Sequence, residues 1–490
     1  MSIACGAVGI FIPGERGNCR MTTGQRLLRL KSVESTIDES GVKNKKVLQR
    51  NMGALDLTAL GVGAIIGTGI FVLTGVAAAN YAGPAVIISF VVSGIAAGLA
   101  ALCYAELSAM VPVAGSAYTY TYASLGEIVA WLIGWNIILE YLVAAGAVAV
   151  GWSSYFSDLL KSVGIVLPKA LTSSPFEGGV IDIPAIAIAL LVAFIAVLGT
   201  KDSARATRVV VFVKILVICL FILIGIFRVK ASNWVPFAPF GFSGIMHGAA
   251  IVFFAYIGFD AVATAAEEVR DPKRDLPKGI VWSLAVSTVL YVLVSVTLTG
   301  MLKYSQLGSS SPITAALLAV GVNWATMFIS IGALAGLTSV LLAVVFAQSR
   351  VFFAMSRDGL LPPVFSAIHK KYKTPYIDTI IVGVAISLVA AFFPVGFIAQ
   401  MANIGTLSAL TVVSVGVIIL RRKKPDAERP FKVPWVPFIP LLSIIFCVYL
   451  MINLPPATWI RFIVWMGIGL IIYFSYGIKN SLLEKRDEKR

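Results

Sequence analysis

The chain has 490 residues, of which 58% belong to the apolar set and only 13% are charged, about half the charged share of a typical soluble domain. With a mean hydropathy of +0.91 it is too apolar for a soluble enzyme and too poor in charge for a disordered chain, which leaves an integral membrane protein. The formal net charge of +15 must then come from where the cations sit along the chain, because no basic domain fit for nucleic acid is present.

In chain order, residues 1–52 form a cytoplasmic N-terminal segment. Its first 19 residues join a short apolar stretch to a charged run without a cleavage site, which excludes a signal peptide, and Met21 is an alternative start. Residues 22–52 read as a short amphipathic piece at the cytoplasmic face. A membrane helix needs roughly 20 mainly apolar residues. Windows of that kind fall at 57–79, 85–110, 128–155, 183–198, 209–227 and 244–266, then at 280–301, 324–347, 377–393, 397–420, 436–453 and 459–477. Most are apolar all round rather than alternating, which excludes an outer-membrane barrel.

Lys and Arg near the spans set orientation. With the N-terminus inside, the cytoplasmic segments carry 32 of these residues and the outer ones 6. Both termini are therefore expected in the cytoplasm, the net charge is accounted for, and the cluster Arg421-Arg422-Lys423-Lys424 reads as a stop signal facing anionic lipid. The five cysteines (Cys5, Cys19, Cys103, Cys219, Cys447) show no paired spacing, and His247 and His369 are too few for a metal centre. Without a haem, Walker, dinucleotide or catalytic-dyad motif, no cofactor and no enzyme activity is expected.

The most informative residues are the glycines of the first span. Gly61, Gly63, Gly67 and Gly69 fall within nine residues. They either pack a small-residue face against a neighbouring helix or unwind the helix near the bilayer midplane. In the second case the amides of Thr68 and Gly69 open a new helix N-terminus, which suits a carboxylate. A second interruption occurs in the sixth span, at Phe253-Phe254-Ala255-Tyr256-Ile257-Gly258-Phe259-Asp260. Carbonyls released at Phe254, Ala255 and Ile257 suit an ammonium group. Each break falls in the first helix of a five-helix half, the pattern of an inverted repeat with a site between its halves, and together the two breaks fit the invariant part of an α-amino acid.

Among the ionisable residues within spans, Lys214 has two readings. It snorkels toward the inner interface, or it faces the bundle with its ammonium on carbonyls of the first break and hydroxyls of the eighth span, Thr338 and Ser339, and loads and releases a proton. Glu106 and Asp260 read as structural acids. Glu140 stands between a structural role and one in proton relay or in biasing the pocket toward cationic side chains. Glu267 and Glu268 read as anchors of an inner loop or gate.

The run Gly63-Ala64-Ile65-Ile66-Gly67-Thr68-Gly69-Ile70-Phe71 resembles the first-helix motif of the amino acid, polyamine and organocation superfamily. Three further stretches are similar to the bacterial branch of the cationic amino acid transporter family. They are Tyr104-Ala105-Glu106-Leu107 leading to Pro112-Val113-Ala114-Gly115-Ser116-Ala117-Tyr118, Gly258-Phe259-Asp260 leading to Glu267-Glu268, and Ala354-Met355-Ser356-Arg357-Asp358-Gly359. The resemblance runs from Asn51 to the last span. It implies an all-α sodium/leucine-transporter type of fold: a ten-helix core of two inverted five-helix repeats over 53–424 with helices 1 and 6 broken, two additional helices over 425–478, and a cytoplasmic tail over 479–490. It further implies substrate contact at Ile65, Thr68, Gly69, Phe254, Ala255 and Ile257, and proton coupling through the fifth-helix Lys214. Animal members are described with fourteen spans, against twelve here.

The expected function is proton-coupled uptake of L-amino acids across the cytoplasmic membrane by alternating access. Neutral substrates are favoured and cationic ones possible, and the partners are the amino acid, protons and the lipid bilayer. The alternatives are an amino-acid exchanger of the same fold and, from another class, a sensor that binds without transport.

Overall fold

The computed structural model describes residues 29, 52–111, 116–199, 203–260, 262, 269–372 and 374–482. Most of the expected N-terminal segment, the Pro112-Val113-Ala114-Gly115 stretch, Glu267 and Glu268, and residues 483–490 of the tail lie outside the described residues. The described residues hold helices and isolated bridges but no named strand. The principal helices are α1 (Ala54–Ile65), α2 (Val86–Met110), α3 (Glu127–Ser162), α4 (Ile183–Leu198), α5 (Ser203–Ile226) and α6 (Gly241–Val252), followed by α7 (Pro272–Met301), α8 (Asn323–Arg357), α9 (Tyr376–Phe392), α10 (Val395–Lys423), α11 (Phe438–Ile452) and α12 (Pro456–Ile472). Seven described helical runs are long and apolar enough to cross a membrane, and five shorter apolar helices accompany them.

Local chemistry sets several starts. Asp56 accepts the Gly53 amide at 3.1 Å ahead of α1, and Asp182 caps α4 by accepting the Ala185 amide at 3.1 Å while the Ser153 hydroxyl donates to it at 2.6 Å. Proline occupies the first turn of α4, α7 and α12, where its missing N–H costs nothing. Interior faces are built from small residues: Ala96, Ala97, Ala100 and Ala101 of α2 are fully buried, which lets neighbouring backbones approach. Large apolar residues instead line the outside of α5 (Val209, Phe212, Leu216, Leu223) and α12 (Ile460, Ile463, Val464, Ile471). In water such faces would be a liability, whereas in lipid they are the solvent-facing surface.

Three pairs of helices five places apart pack together. The pairs α2 with α7, α3 with α8, and α4 with α9 are among the most extensive in the molecule. The 36-residue α3 is the central post, with α8 and α10 against it. Helix α12 is riveted to it by reciprocal tryptophan bonds: Trp131 Nε1 donates to the Gly469 carbonyl at 2.9 Å, Trp135 Nε1 to Trp465 O at 2.9 Å, and Trp465 Nε1 to Trp135 O at 3.2 Å.

Two expectations are revised. Helices α3, α7 and α8 extend well beyond their apolar windows, α8 by ten residues to Arg357, because polar residues continue a helix without difficulty once it leaves the lipid. Arg421 does not face lipid. It turns inward and holds Glu106 by two bonds, Nε to Oε1 at 2.8 Å and Nη2 to Oε2 at 2.7 Å.

Candidate functional site: two broken helices and a buried lysine

The first span breaks where its glycines cluster. Helix α1 stops at Ile65, Ile66 takes an extended conformation (φ −75°, ψ 99°), and helical geometry resumes with a wide π turn at Gly69–Leu73. The sixth span breaks after α6, through a 3-10 turn at Phe253–Tyr256 into an extended Ile257 (φ −61°, ψ 136°) and Gly258 at φ +112°. Only glycine adopts that last conformation without strain.

The breaks touch each other. A Cβ on Gly69 would lie 2.3 Å from Ala255 Cα, and one on Gly258 would lie 2.9 Å from the Ala64 carbonyl oxygen. Helix ends at such a junction expose unpaired groups: amides where the second half of the first span starts, and carbonyls where α1 and the first half of the sixth span stop. In hydrocarbon those groups need partners.

Three side chains supply donors to the carbonyls. Lys214 of α5, 1% exposed, donates from Nζ to Gly63 O at 2.5 Å and to Ile66 O at 3.1 Å. Its stem lies in a slot against α8, where a Cβ on Gly336 would stand 2.7 Å from Lys214 Cγ. The Tyr291 hydroxyl of α7 is 2.9 Å from Ile65 O and 2.6 Å from Ala255 O. Asn403 Nδ2 of α10 donates to Ala250 O at 2.7 Å and Ile251 O at 2.9 Å. No carboxylate is ion-paired with Lys214 among the described residues.

A narrow cavity of about 60 Å³ opens between the breaks and the α3 and α8 helices. Ile65, Thr68, Gly69, Phe254 and Ile257 line it, and Ala255 stands behind them against Gly69. Its far wall is Ala144 and Val148 of α3 with Val340, Ala343, Val344 and Ala347 of α8. The polar groups on the lining are Thr68, Tyr141 and Asp260, and the Tyr141 hydroxyl donates to Asp260 Oδ2 at 2.8 Å. Thr68 Oγ1 points to Ala147 O at 3.4 Å.

The remaining site residues named from the sequence fall elsewhere. Glu140 is buried on the α3 face turned to α10, beside Gly405, and is absent from the cavity wall. Asp260, read from sequence as structural, is the acid on that wall. Thr338 accepts Trp152 Nε1 at 3.0 Å and donates to Leu334 O, while Ser339 donates to Gly336 O at 2.8 Å. The bonds of the Lys214 ammonium thus go to the carbonyls of the first break. Tyr291 and Asn403 were passed over in the sequence. The available signal was a polar side chain alone in a run of Val, Leu, Ile and Ala, as in Val289-Leu290-Tyr291-Val292-Leu293 and Ala402-Asn403-Ile404.

Known proteins give the chemistry a context. Residues 52–474 match the amino acid permease family. The methylthioribose transporter of Bacillus subtilis is 48% identical over 461 residues, covering 94% of this chain and 99% of that protein. The branched-chain amino acid permease BcaP of the same organism is 49% identical over 466 residues, with the same coverage. Human cationic amino acid transporter 4 is 31% identical over 587 aligned positions, covering 94% of this chain and 92% of the human protein.

Proposed function

Because the chain belongs to the amino acid permease family, we propose that this multi-pass membrane protein takes up an L-amino acid by alternating access, driven by the proton gradient. The carboxylate sits on the amides of Thr68 and Gly69. The ammonium sits on carbonyls of the two breaks, among them Ile65, Phe254, Ala255 and Ile257. Lys214 carries the coupled proton. The side chain enters the slot between α3 and α8, whose wall of Ala144, Val148, Val340, Ala343 and Val344 favours small and branched apolar substrates over cationic ones. The relatives named for branched-chain amino acids fit that preference.

The observation that carries the reading is the placement of a buried ammonium on the freed carbonyls of Gly63 and Ile66, at the joint that must flex when the first span opens and closes. Protonated, Lys214 pins α1 to α5. Deprotonated, the neutral amine keeps two N–H donors but loses the charge that strengthens both bonds, and the weakened joint lets the inner half of the span go. Glu140 is a relay residue in this scheme, beside the cavity rather than on it, and on the α8 side Gly336 makes room for the Lys214 stem.

The pairing of α2 with α7, α3 with α8 and α4 with α9 supports two inverted five-helix repeats within a core over 53–424, with α11 and α12 added over 425–478. The cation distribution supports twelve spans in the cytoplasmic membrane with both termini inside. A second reading has a specific observation in its favour: Lys214 already has two carbonyl partners and serves equally as a fixed structural cation, which would make the protein an amino-acid exchanger. Uptake of radiolabelled alanine, leucine and arginine into proteoliposomes, in sodium-free buffer with and without an inward proton gradient, separates the two. Gradient-driven accumulation of leucine or alanine is expected. Uptake that requires internal amino acid would establish exchange instead.

A further inference from the structure

Tyr291 is fully buried, and its one hydroxyl lies within hydrogen-bond distance of a carbonyl from each broken span: Ile65 O at 2.9 Å and Ala255 O at 2.6 Å. A phenol carries a single proton. It donates to one of these oxygens at a time, so the pair always has room for another donor. An α-ammonium brings three. Its natural acceptors in the reading above are carbonyls of these same breaks, and the inference rests on that reading.

We propose that Tyr291 is a positioning residue that stands in for the substrate ammonium when the carrier is empty. Without a donor, the oxygens of Ile65 and Ala255 would face each other across a buried, apolar junction, where an unsatisfied carbonyl is costly. The hydroxyl bridges them and keeps the halves of the core in register during the return of the empty carrier. When the amino acid binds, its ammonium, with three N–H donors, satisfies both Ala255 O and Ile65 O, and the hydroxyl is no longer needed as their donor. The ring is fixed for this purpose: it packs against Phe90 at 5.3 Å and Tyr256 at 5.4 Å between centroids. Tyr256 is itself anchored by donating to Phe90 O at 2.8 Å. The hydroxyl therefore cannot swing away to another partner.

The consequence is asymmetric between the empty and loaded forms, and Tyr291→Phe isolates it because the ring and its packing are kept. In detergent, the substrate-free variant should melt below wild type, and saturating leucine should close that gap. The desamino analogue 4-methylpentanoate, which has the carboxylate and side chain but no ammonium, should leave the gap open. A purely structural tyrosine would lower both melting temperatures equally, and an equal loss overturns the inference. If leucine and alanine fail to stabilise wild type at all, the substrate reading falls and the inference falls with it; an unchanged gap in a protein that wild type shows to bind leucine removes the role of Tyr291 alone.

Membrane vesicles provide a second measurement that needs no purified variant. Net uptake, which requires return of the empty carrier, should fall about tenfold in Tyr291→Phe, as expected for the loss of a buried hydrogen bond, while counterflow exchange, in which the carrier returns loaded, should be retained. Equal losses in both modes would contradict the proposal.

Discussion

Two buried charges in this molecule are held in opposite ways. Glu106 on α2 is 1% exposed and is matched by charge: Arg421 grips both its oxygens, Arg429 Nε stands 3.4 Å from Oε1, and the Val433 amide donates to Oε2 at 2.7 Å. Lys214 on α5 is as deeply buried, yet its ammonium rests on two neutral carbonyls at a helix break. A charge locked by opposite charges is expensive to free and makes a permanent joint. A cation on neutral acceptors gives up its proton without stranding a counter-charge, and the helix end it held is then free to move. The first arrangement ties α2 to the end of α10 and to the α10–α11 connection. The second ties α1 to α5 through neutral acceptors alone, and in the proposed scheme it loosens when the proton leaves.

The strongest way to break the joint is Glu106→Ala. It leaves Arg429 buried beside no counter-charge, and removal of one partner from such a network costs about 3–5 kcal/mol. The expected outcome is loss of monodisperse protein in detergent, checked by size exclusion and thermal melting. Lys214→Ala should act differently. The protein should fold with a modest fall in melting temperature and retain leucine counterflow, but lose accumulation driven by a proton gradient. If Lys214→Ala fails to fold and Glu106→Ala transports normally, the comparison is inverted and the roles assigned here are wrong.

Smaller effects sharpen the picture of the junction itself. Gly69→Ala places a methyl 2.3 Å from Ala255 Cα, backbone that cannot step aside, so uptake should fall at least about tenfold, with expression unaffected, if the close approach is needed in the working cycle. Ala343→Leu extends a side chain into the α8 wall of the cavity. It should reduce leucine uptake about tenfold relative to alanine uptake, the scale of a few methylenes in an apolar pocket, read as competition of each amino acid against labelled alanine. At the small end, the Lys273–Glu428 pair joins the start of α7 to the α10–α11 connection with both side chains largely exposed. The Lys273 ammonium holds the Glu428 carboxyl below its usual range, but solvent screens such a pair, and Lys273→Ala should change neither melting temperature nor uptake measurably.

The sequence was most legible where unusual residues concentrate in an apolar span. Four glycines within nine residues of an apolar span, and a glycine between aromatics and an acid in another, marked both breaks. Of the two readings of Lys214, snorkelling or facing the bundle, the second matches its bonds to Gly63 O and Ile66 O, though not the expected hydroxyls of Thr338 and Ser339. What was not legible depends on how each helix is rotated. Successive residues on a helix differ by about 100° in direction, so Glu140 and Tyr141 face different neighbours: Tyr141 lines the cavity and meets Asp260, while Glu140 turns toward α10. The same applies to Thr338, which meets Trp152. Arg421 looked like a lipid-facing cation because its partner is 315 residues away. Tyr291 looked like bulk in a Val- and Leu-rich helix, since nothing local indicates that its hydroxyl lands between two distant breaks.

The central claim is that the buried cation at the first break carries a proton across with the substrate. The most direct test loads proteoliposomes with a pH-sensitive dye, with no gradient imposed and a potassium ionophore clamping the potential at zero, and adds leucine or alanine outside. The account predicts that the interior acidifies as wild type takes up substrate, and that Lys214→Ala leaves the interior pH unchanged. Substrate entry by the wild type without internal acidification would contradict it.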